Sequence, residues 1–173
     1  MNGELEQAGD HWRLRFTRRL AHSPEKVWRA LTQPEHLEAW FPQRVNGPWT
    51  VGAVLQFSSR ANEHPGFSGE VLACQPPSLL EYRWGTDVLR FEIVPSKRGC
   101  TLVLSDTIDE LGKAARDGAG WHTCLDALEH HLDGTPPPWT VGERWSEVHP
   151  GYVEKFGPAA STIGPPSETP TRG

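Results

Sequence analysis

Residues 120–132 read GWHTCLDALEHHL, and this stretch decides the fold. Its large apolar side chains recur every three to four residues, which is the spacing of one face of an amphipathic α-helix. The spacing continues upstream, so we predict a helix over about residues 111–133 with a buried stripe of Ala114, Trp121, Leu125, Leu128 and Leu132. The opposite face is predicted to be a solvated acidic surface of His122, Asp126, Glu129 and Asp133.

A helix with one broad apolar face must pack against a broad partner, and the segments before it supply one. Apolar and polar residues alternate with a period of two over residues 55–57, 67–73, 80–84, 89–93 and 102–104. Turn-forming residues separate these segments at Gly47-Pro48, His64-Pro65-Gly66, Pro76-Pro77, Gly85-Thr86-Asp87 and between Ser96 and Gly99. We therefore predict an antiparallel meander of strands, with its tightest hairpin at residues 85–87.

The N-terminal part of the chain predicts one more strand and two short helices. Residues 12–20 alternate in the same way and predict a first strand with one buried face. Ser23 is a favourable helix N-cap, and Pro24 suits the first helical turn. A second short helix is expected to begin near Pro34 and to end before Pro42, because proline cannot continue it.

Composition excludes several classes of function. The net charge is −5 and the pI about 5.9, which gives no basic footprint for nucleic acid. No apolar run approaches the roughly 20 residues that a membrane span needs, and the polar N-terminus is unlike a signal peptide. A cytoplasmic location is therefore expected. Three cysteines at wide spacing, Cys74, Cys100 and Cys124, fit neither a disulfide framework nor a zinc site, so no metal or cofactor is expected.

The predicted domain covers residues 12–156. Residues 1–11 are expected to be a flexible N-terminus because they are polar and acidic. Residues 157–173 are rich in Pro, Ser, Thr and Gly, which cannot bury enough apolar surface to fold, so we expect a disordered tail.

The predicted elements also resemble a known family. Their order is a strand, two helices, a six-strand meander and a long helix. Individual motifs agree: PEKVWRALT at 24–32, PEHL at 34–37, VGA at 51–53, GEVL at 69–72, LEYRW at 80–84 and GWH at 120–122. Together they resemble the SRPBCC (START-like) superfamily, and within it the branch homologous to the activator of the heat-shock protein 90 ATPase. One departure is Ala53, where that branch usually has a second glycine.

The resemblance implies an α+β helix-grip fold, in which a curved antiparallel sheet wraps around the long C-terminal helix. Members of this kind hold hydrophobic ligands between sheet and helix. The residues expected to line such a site are Trp40, Trp49, Phe57, Phe67, Tyr82, Trp84, Asp106, Trp121 and Leu125. For any single aromatic residue among them we favour an ordinary core position, whereas the resemblance favours several of the set facing a cavity.

Three polar residues fall in the apolar phase of predicted strands: Arg18, Tyr82 and Asp106. Burying such a group without a partner costs about 1–3 kcal/mol, so the pattern asks for an explanation. One reading is that the three orient an oxygenated ligand or that Asp106 acts as a general acid or base. The other is that Arg18 and Asp106 lie at strand ends, where they reach water or pair with each other.

We favour a non-enzymatic protein that binds a hydrophobic lipid- or polyketide-like molecule in a cavity beneath the long helix. A polyketide cyclase or aromatase using Tyr82, Asp106 or Arg18 is the enzymatic alternative. A chaperone-ATPase activator-like role and the sequestration of a natural product for antibiotic self-resistance are further hypotheses. No phosphate loop, dinucleotide motif or nucleophile elbow occurs in the sequence. A protein partner is possible, and the sequence does not identify it.

Overall fold

Eight antiparallel strands form one curved sheet in the computed structural model, which describes residues 2–60 and 66–164. In chain order they are β1 Glu4–Ala8, β2 His11–Leu20, β3 Arg44–Asn46, β4 Val54–Ser58, β5 Phe67–Gln75, β6 Leu79–Trp84, β7 Asp87–Ser96 and β8 Gly99–Ile108. Their order in the sheet is β1-β2-β8-β7-β6-β5-β4-β3. The six strands β3–β8 form the predicted meander, and β2 closes it by pairing with β8.

Four α-helices accompany the sheet: α1 Pro24–Thr32, α2 Pro34–Leu37, α3 Ala114–Asp133 and α4 Val141–Phe156. A short 3-10 turn at Leu111–Lys113 leads into α3. The Ser23 side chain accepts a hydrogen bond from the Lys26 amide and so caps α1 as predicted. Helix α3 ends at Gly134, whose φ of 73° is a left-handed conformation that glycine adopts without strain.

The predicted helix-grip arrangement is confirmed. The stripe of α3 that faces the sheet is buried and consists of Ala114, Trp121, Leu125, Leu128 and Leu132. Across from it lie the inward-facing residues of β2, β7 and β8, such as Phe16, Phe91 and Leu104. At the β6–β7 hairpin, Gly85 has a φ of 61°, which explains why the tightest turn carries glycine.

The second face of α3 differs from the prediction, because helix α4 covers it. Helix α4 was not predicted from the sequence, and His122 and Asp126 were expected to be solvated. Instead His122 is only 6% exposed, and the side chain of Asp126 is only 16% exposed. Tyr152 of α4 is buried against this face and its hydroxyl lies 2.8 Å from Nδ1 of His122.

Described residues near both ends of the chain contact the rest of the fold. Within the first eleven residues, β1 pairs with β2, and the Gly3 amide donates a hydrogen bond to the Tyr152 hydroxyl. Beyond Phe156, a 3-10 turn at Pro158–Ala160 buries Ala160, and the Ile163 amide donates to the Gly112 carbonyl. Backbone pairing and packing therefore hold part of residues 1–11 and part of residues 157–173, and the predicted limits of the domain at residues 12 and 156 stay a prediction. The independent folding of residues 12–156 remains a proposal.

Some expectations fall on residues outside the described part of the chain. These are the beginning of the predicted turn at His64-Pro65 and the end of the predicted tail, residues 165–173. Among the described residues, no helix has both the length and the apolar character that crossing a membrane requires.

Candidate functional site

Aromatic and aliphatic side chains pack across much of the space between the sheet and α3. A run of stacked rings crosses it, from Phe41 to Phe57, Tyr82 and Phe91, with centroids 5.9–6.3 Å apart. Other predicted site residues complete this packing: Trp49 lies against Tyr82, Phe67 lies against Phe57, and Leu125 is buried. The structure thus places Phe57, Tyr82 and Leu125 in the core, and Trp49 and Phe67 are half-buried side chains that pack against it.

A cavity of about 470 Å³ lies at one end of this core. Among the described residues, the segment before β3, the residue Arg60 after β4, the end of β6, residues 116–127 of α3 and the start of α4 border it. Its walls are formed by Ala39, Trp40, Phe41, Pro42, Gln43, Arg60, Trp84, Arg116, Asp117, Gly120, Trp121, Thr123, Cys124, Ala127, Val141 and Trp145. Three predicted site residues therefore meet here: Trp40, Trp84 and Trp121.

The aromatic walls pack on one another. The Trp84 and Trp121 rings have centroids 5.3 Å apart, and Phe41 lies 5.8 Å from Trp121. Each indole N–H is already bonded within the protein: Trp40 donates to the Ala30 carbonyl, Trp84 to Gln43, Trp121 to Asp106 and Trp145 to the Arg116 carbonyl. What these four rings offer a ligand is therefore apolar and π surface.

Polar groups stand at the edge of the aromatic surface. Arg60 donates to the backbone carbonyls of Leu37 and Phe41, and Arg116 donates a 2.8 Å hydrogen bond to Asp117. Burial raises the pKa of the Cys124 thiol to about 12, so this thiol is protonated at neutral pH and a poor nucleophile. Arg60, Arg116 and Trp145 were not predicted as site residues, because only the tertiary fold brings them to the cavity.

Asp106 lies behind the cavity wall, fully buried on β8. Its Oδ2 accepts a 2.8 Å hydrogen bond from Nε1 of Trp121, and two further carboxyl groups, Asp87 and Asp117, lie beside it. Burial raises the pKa of Asp106 well above its ordinary value, and it raises that of Asp87 to about 6. A sequence signal for Asp87 exists, since it shares the apolar phase of Leu89 and Phe91 on β7.

Arg18 lies on another side of α3, where it is only 5% exposed. Its Nη1 donates to Asp126 at 2.7 Å and to Glu129 at 3.0 Å. Arg144 of α4 also bonds Asp126. Arg18, Tyr82 and Asp106 therefore do not converge. The expectation that Arg18 and Asp106 reach water or pair with each other is wrong, because both are buried and bond residues of α3 instead.

A sequence profile of the family described as activator of Hsp90 ATPase homolog 1-like protein matches residues 21–133. No curated protein matches the sequence. Among solved structures, a conserved protein of unknown function from Enterococcus faecalis superposes with a TM-score of 0.72 at 18% identity, over 94% of this chain and 92% of that chain. CalU16 from Micromonospora echinospora superposes with a TM-score of 0.70 at 21% identity, over 90% of this chain and 99% of that chain. A protein from Mesorhizobium loti superposes with a TM-score of 0.62 at 27% identity, over 72% of this chain and 99% of that chain.

Proposed function

The chain belongs to the family of activator of Hsp90 ATPase homolog 1-like proteins, and from that premise we propose that it binds a hydrophobic small molecule in the cavity beside Trp84 and Trp121. The observation that carries the proposal is the cavity itself. Small-molecule sites enclose roughly 300–1,000 Å³ and are lined by apolar and aromatic residues with a few polar groups. A cavity of about 470 Å³ with four indoles in its wall has this character.

The chemistry of the walls favours an oxygenated ring system, of the polyketide-like kind, over a plain aliphatic chain. Trp84 and Trp121 present ring surface on which a planar ligand stacks, and aromatic pairs contribute about 0.5–1.5 kcal/mol beyond the burial of area. Arg60 and Arg116 lie at the same wall, and guanidinium groups bond carbonyl, phenolate or carboxylate oxygens. Asp117 supplies an acceptor for a hydroxyl group.

Binding is supported more strongly than catalysis. Of the three polar residues that the sequence indicated for catalysis, Arg18 bonds carboxylates on α3, Tyr82 stacks inside the core, and Asp106 lies behind Trp121. A general acid or base must come within hydrogen-bonding reach of its substrate. The cavity walls hold Cys124 instead, whose thiol is neutral at pH 7 because burial raises its pKa.

The proposal can be tested with two aromatic probes, 8-anilinonaphthalene-1-sulfonate and 1,8-dihydroxyanthraquinone. We expect saturable binding of one probe molecule per chain, with quenching of tryptophan fluorescence and a rise in melting temperature. Trp84→Phe should weaken binding by about 2- to 10-fold, because part of the stacking surface is lost.

Trp28→Phe is the matched control. Trp28 is a half-buried tryptophan on α1 and lies outside the cavity wall, so its replacement should leave probe affinity unchanged. Probe binding that does not saturate, or that falls equally in both variants, would contradict the proposal.

A further inference from the structure

Three carboxyl groups meet between the sheet and the start of α3. Asp87 begins β7, Asp106 lies on β8, and Asp117 lies in the first turn of α3. Each places one carboxylate oxygen within 4.8 Å of the other two. Asp87 is only 5% exposed and Asp106 is fully buried, so this acidic cluster is not a solvated surface.

The protein supplies few donors to this cluster. Trp121 bonds one oxygen of Asp106, and Arg116 bonds Asp117. The nearby ammonium group of Lys113 donates to Asp109, which lies outside the cluster. Oδ1 of Asp87 and Oδ1 of Asp106 receive no hydrogen bond from an N–H or hydroxyl donor of the described residues. The two carboxyl groups lie within hydrogen-bonding distance of each other, and such a contact between two acceptors needs a proton or a cation between them. Buried carboxylate oxygens without donors are costly, which indicates that another positive group completes the arrangement.

We propose that Asp87, Asp106 and Asp117 bind one hard divalent cation, for which Ca²⁺ is the best fit. The donors are all carboxylate oxygens, which such cations prefer. Ca²⁺ holds oxygens at about 2.3–2.6 Å, so two of its ligands can lie up to about 5.2 Å apart, against about 4.2 Å for Mg²⁺. A spread of up to 4.8 Å among the three ligand atoms therefore suits Ca²⁺ without movement of the strands.

The cavity gives this site an entrance. Asp117 belongs both to the cluster and to the cavity wall, and its side chain is 15% exposed. Ca²⁺ takes six to eight oxygen ligands, so water from the cavity would fill the positions that three carboxylates leave open. Asp106 would then connect the cation to Trp121, because the indole N–H of Trp121 donates a hydrogen bond to this carboxyl group.

The test begins with the full-length protein freed of metal by EGTA and titrated with CaCl₂ at pH 7 by calorimetry. We expect one Ca²⁺ per chain, a melting temperature that rises with Ca²⁺ concentration, and a weaker response to MgCl₂. Asp106→Asn and Asp117→Asn each remove a charged ligand and should weaken Ca²⁺ binding at least about 10-fold. Because Asp117 is partly exposed, its variant keeps the test valid if Asp106→Asn fails to fold.

Asp109→Asn is the matched control, since it removes a negative charge from the same neighbourhood without removing a ligand. Its affinity for Ca²⁺ should change less than about 3-fold, by weak screened electrostatics alone. Equal losses in Asp109→Asn and Asp117→Asn would overturn the proposal, as would the absence of saturable binding at millimolar Ca²⁺. One further result would overturn the proposal: the wild type does not respond to Ca²⁺, and Asp106→Asn is more stable than the wild type. That result would show that Asp87 and Asp106 share a proton instead of a cation.

Discussion

Nε1 of Trp121 donates a 2.8 Å hydrogen bond to Oδ2 of Asp106, and this contact joins the cavity wall to the buried acidic cluster. One side of the indole therefore lines the cavity, while its N–H satisfies a carboxyl group that is fully buried. Trp84 differs, because its N–H bonds Gln43, a half-buried side chain. The two neighbouring tryptophans of the cavity thus differ in structural role: Trp121 bonds a buried carboxyl group, and Trp84 bonds a half-buried amide.

This difference predicts different outcomes for the same substitution. Trp121→Phe should lower the free energy of unfolding by about 1–3 kcal/mol, because a buried acceptor loses its donor. Trp84→Phe should lower it by less than about 1 kcal/mol, because water can replace its contact with Gln43. Urea melts of the two variants measure both values, and probe titration of the folded proteins measures affinity.

Asp106→Asn combined with Trp121→Phe provides the control for this explanation. If the Trp121–Asp106 bond is the cause, the cost of Trp121→Phe should shrink once residue 106 carries a neutral amide, because a neutral group is cheaper to leave unpaired. If Trp121→Phe lowers the free energy of unfolding by the same amount with Asn at residue 106, the loss comes from packing alone and not from the hydrogen bond.

The burial pattern of the main elements could be predicted because each has one buried face. Period-two alternation identified β2 and β4–β8 but neither of the short strands β1 and β3, and the spacing of Trp121, Leu125 and Leu128 identified α3. Helix α4 escaped prediction because only Tyr152 among its residues is buried, which gives a weak apolar stripe, and Pro150 lies inside it. The signal that could have revealed it is the capping box of Thr140 and Glu143.

The candidate site was only partly predictable. Asp106 was identified because a carboxylate in the apolar phase of a strand needs an explanation, and Asp87 meets the same criterion on β7. Its place beside Gly85-Thr86 made it look like a turn residue. That Tyr82 fills the core whereas Trp84 reaches a cavity depends on sheet curvature and side-chain volume, which the alternation of residues does not encode.

The buried stripe of α3 gives a direct test of the core. Leu125→Ala and Leu128→Ala should each lower the free energy of unfolding by about 2–5 kcal/mol, because both leucines are 1% exposed and their removal leaves a cavity. Val51→Ala, at an exposed turn position, should change it by no more than about 0.5 kcal/mol. Losses below about 1 kcal/mol for both leucines would show that the stripe does not face the core.

Asp126 predicts a pH-dependent contribution to stability. Burial alone would raise its pKa, but hydrogen bonds from His122, Arg18 and Arg144 more than offset this, so its pKa lies well below the ordinary value. A folded pKa below the unfolded one gives stability that is fully present above the unfolded pKa, about 3.9, and is lost as the pH falls toward the folded pKa. The difference in unfolding free energy between wild type and Asp126→Asn should therefore shrink as the pH is lowered from 7 to 3.

The matched control is Asp10→Asn, an exposed aspartate in the turn between β1 and β2. Its difference from the wild type should stay near zero across the same pH series, measured by urea denaturation. A difference for Asp126→Asn that is independent of pH, or that grows on acidification, would show that the ion pairs with Arg18 and Arg144 do not contribute as argued.

The segment after α4 predicts the effect of shortening the chain. Ala160 is buried, the Ile163 amide bonds the Gly112 carbonyl, and Gly112 lies in the turn that leads into α3. Removing residues 157–173 should therefore cost about 1–2 kcal/mol from lost burial and one lost hydrogen bond. For a domain of this size the melting temperature should fall by roughly 2–8 °C.

A chain that ends at Gly164 keeps these contacts and should melt like the full chain. If the chain ending at Phe156 melts at the same temperature as both, residues 158–163 do not stabilise the start of α3.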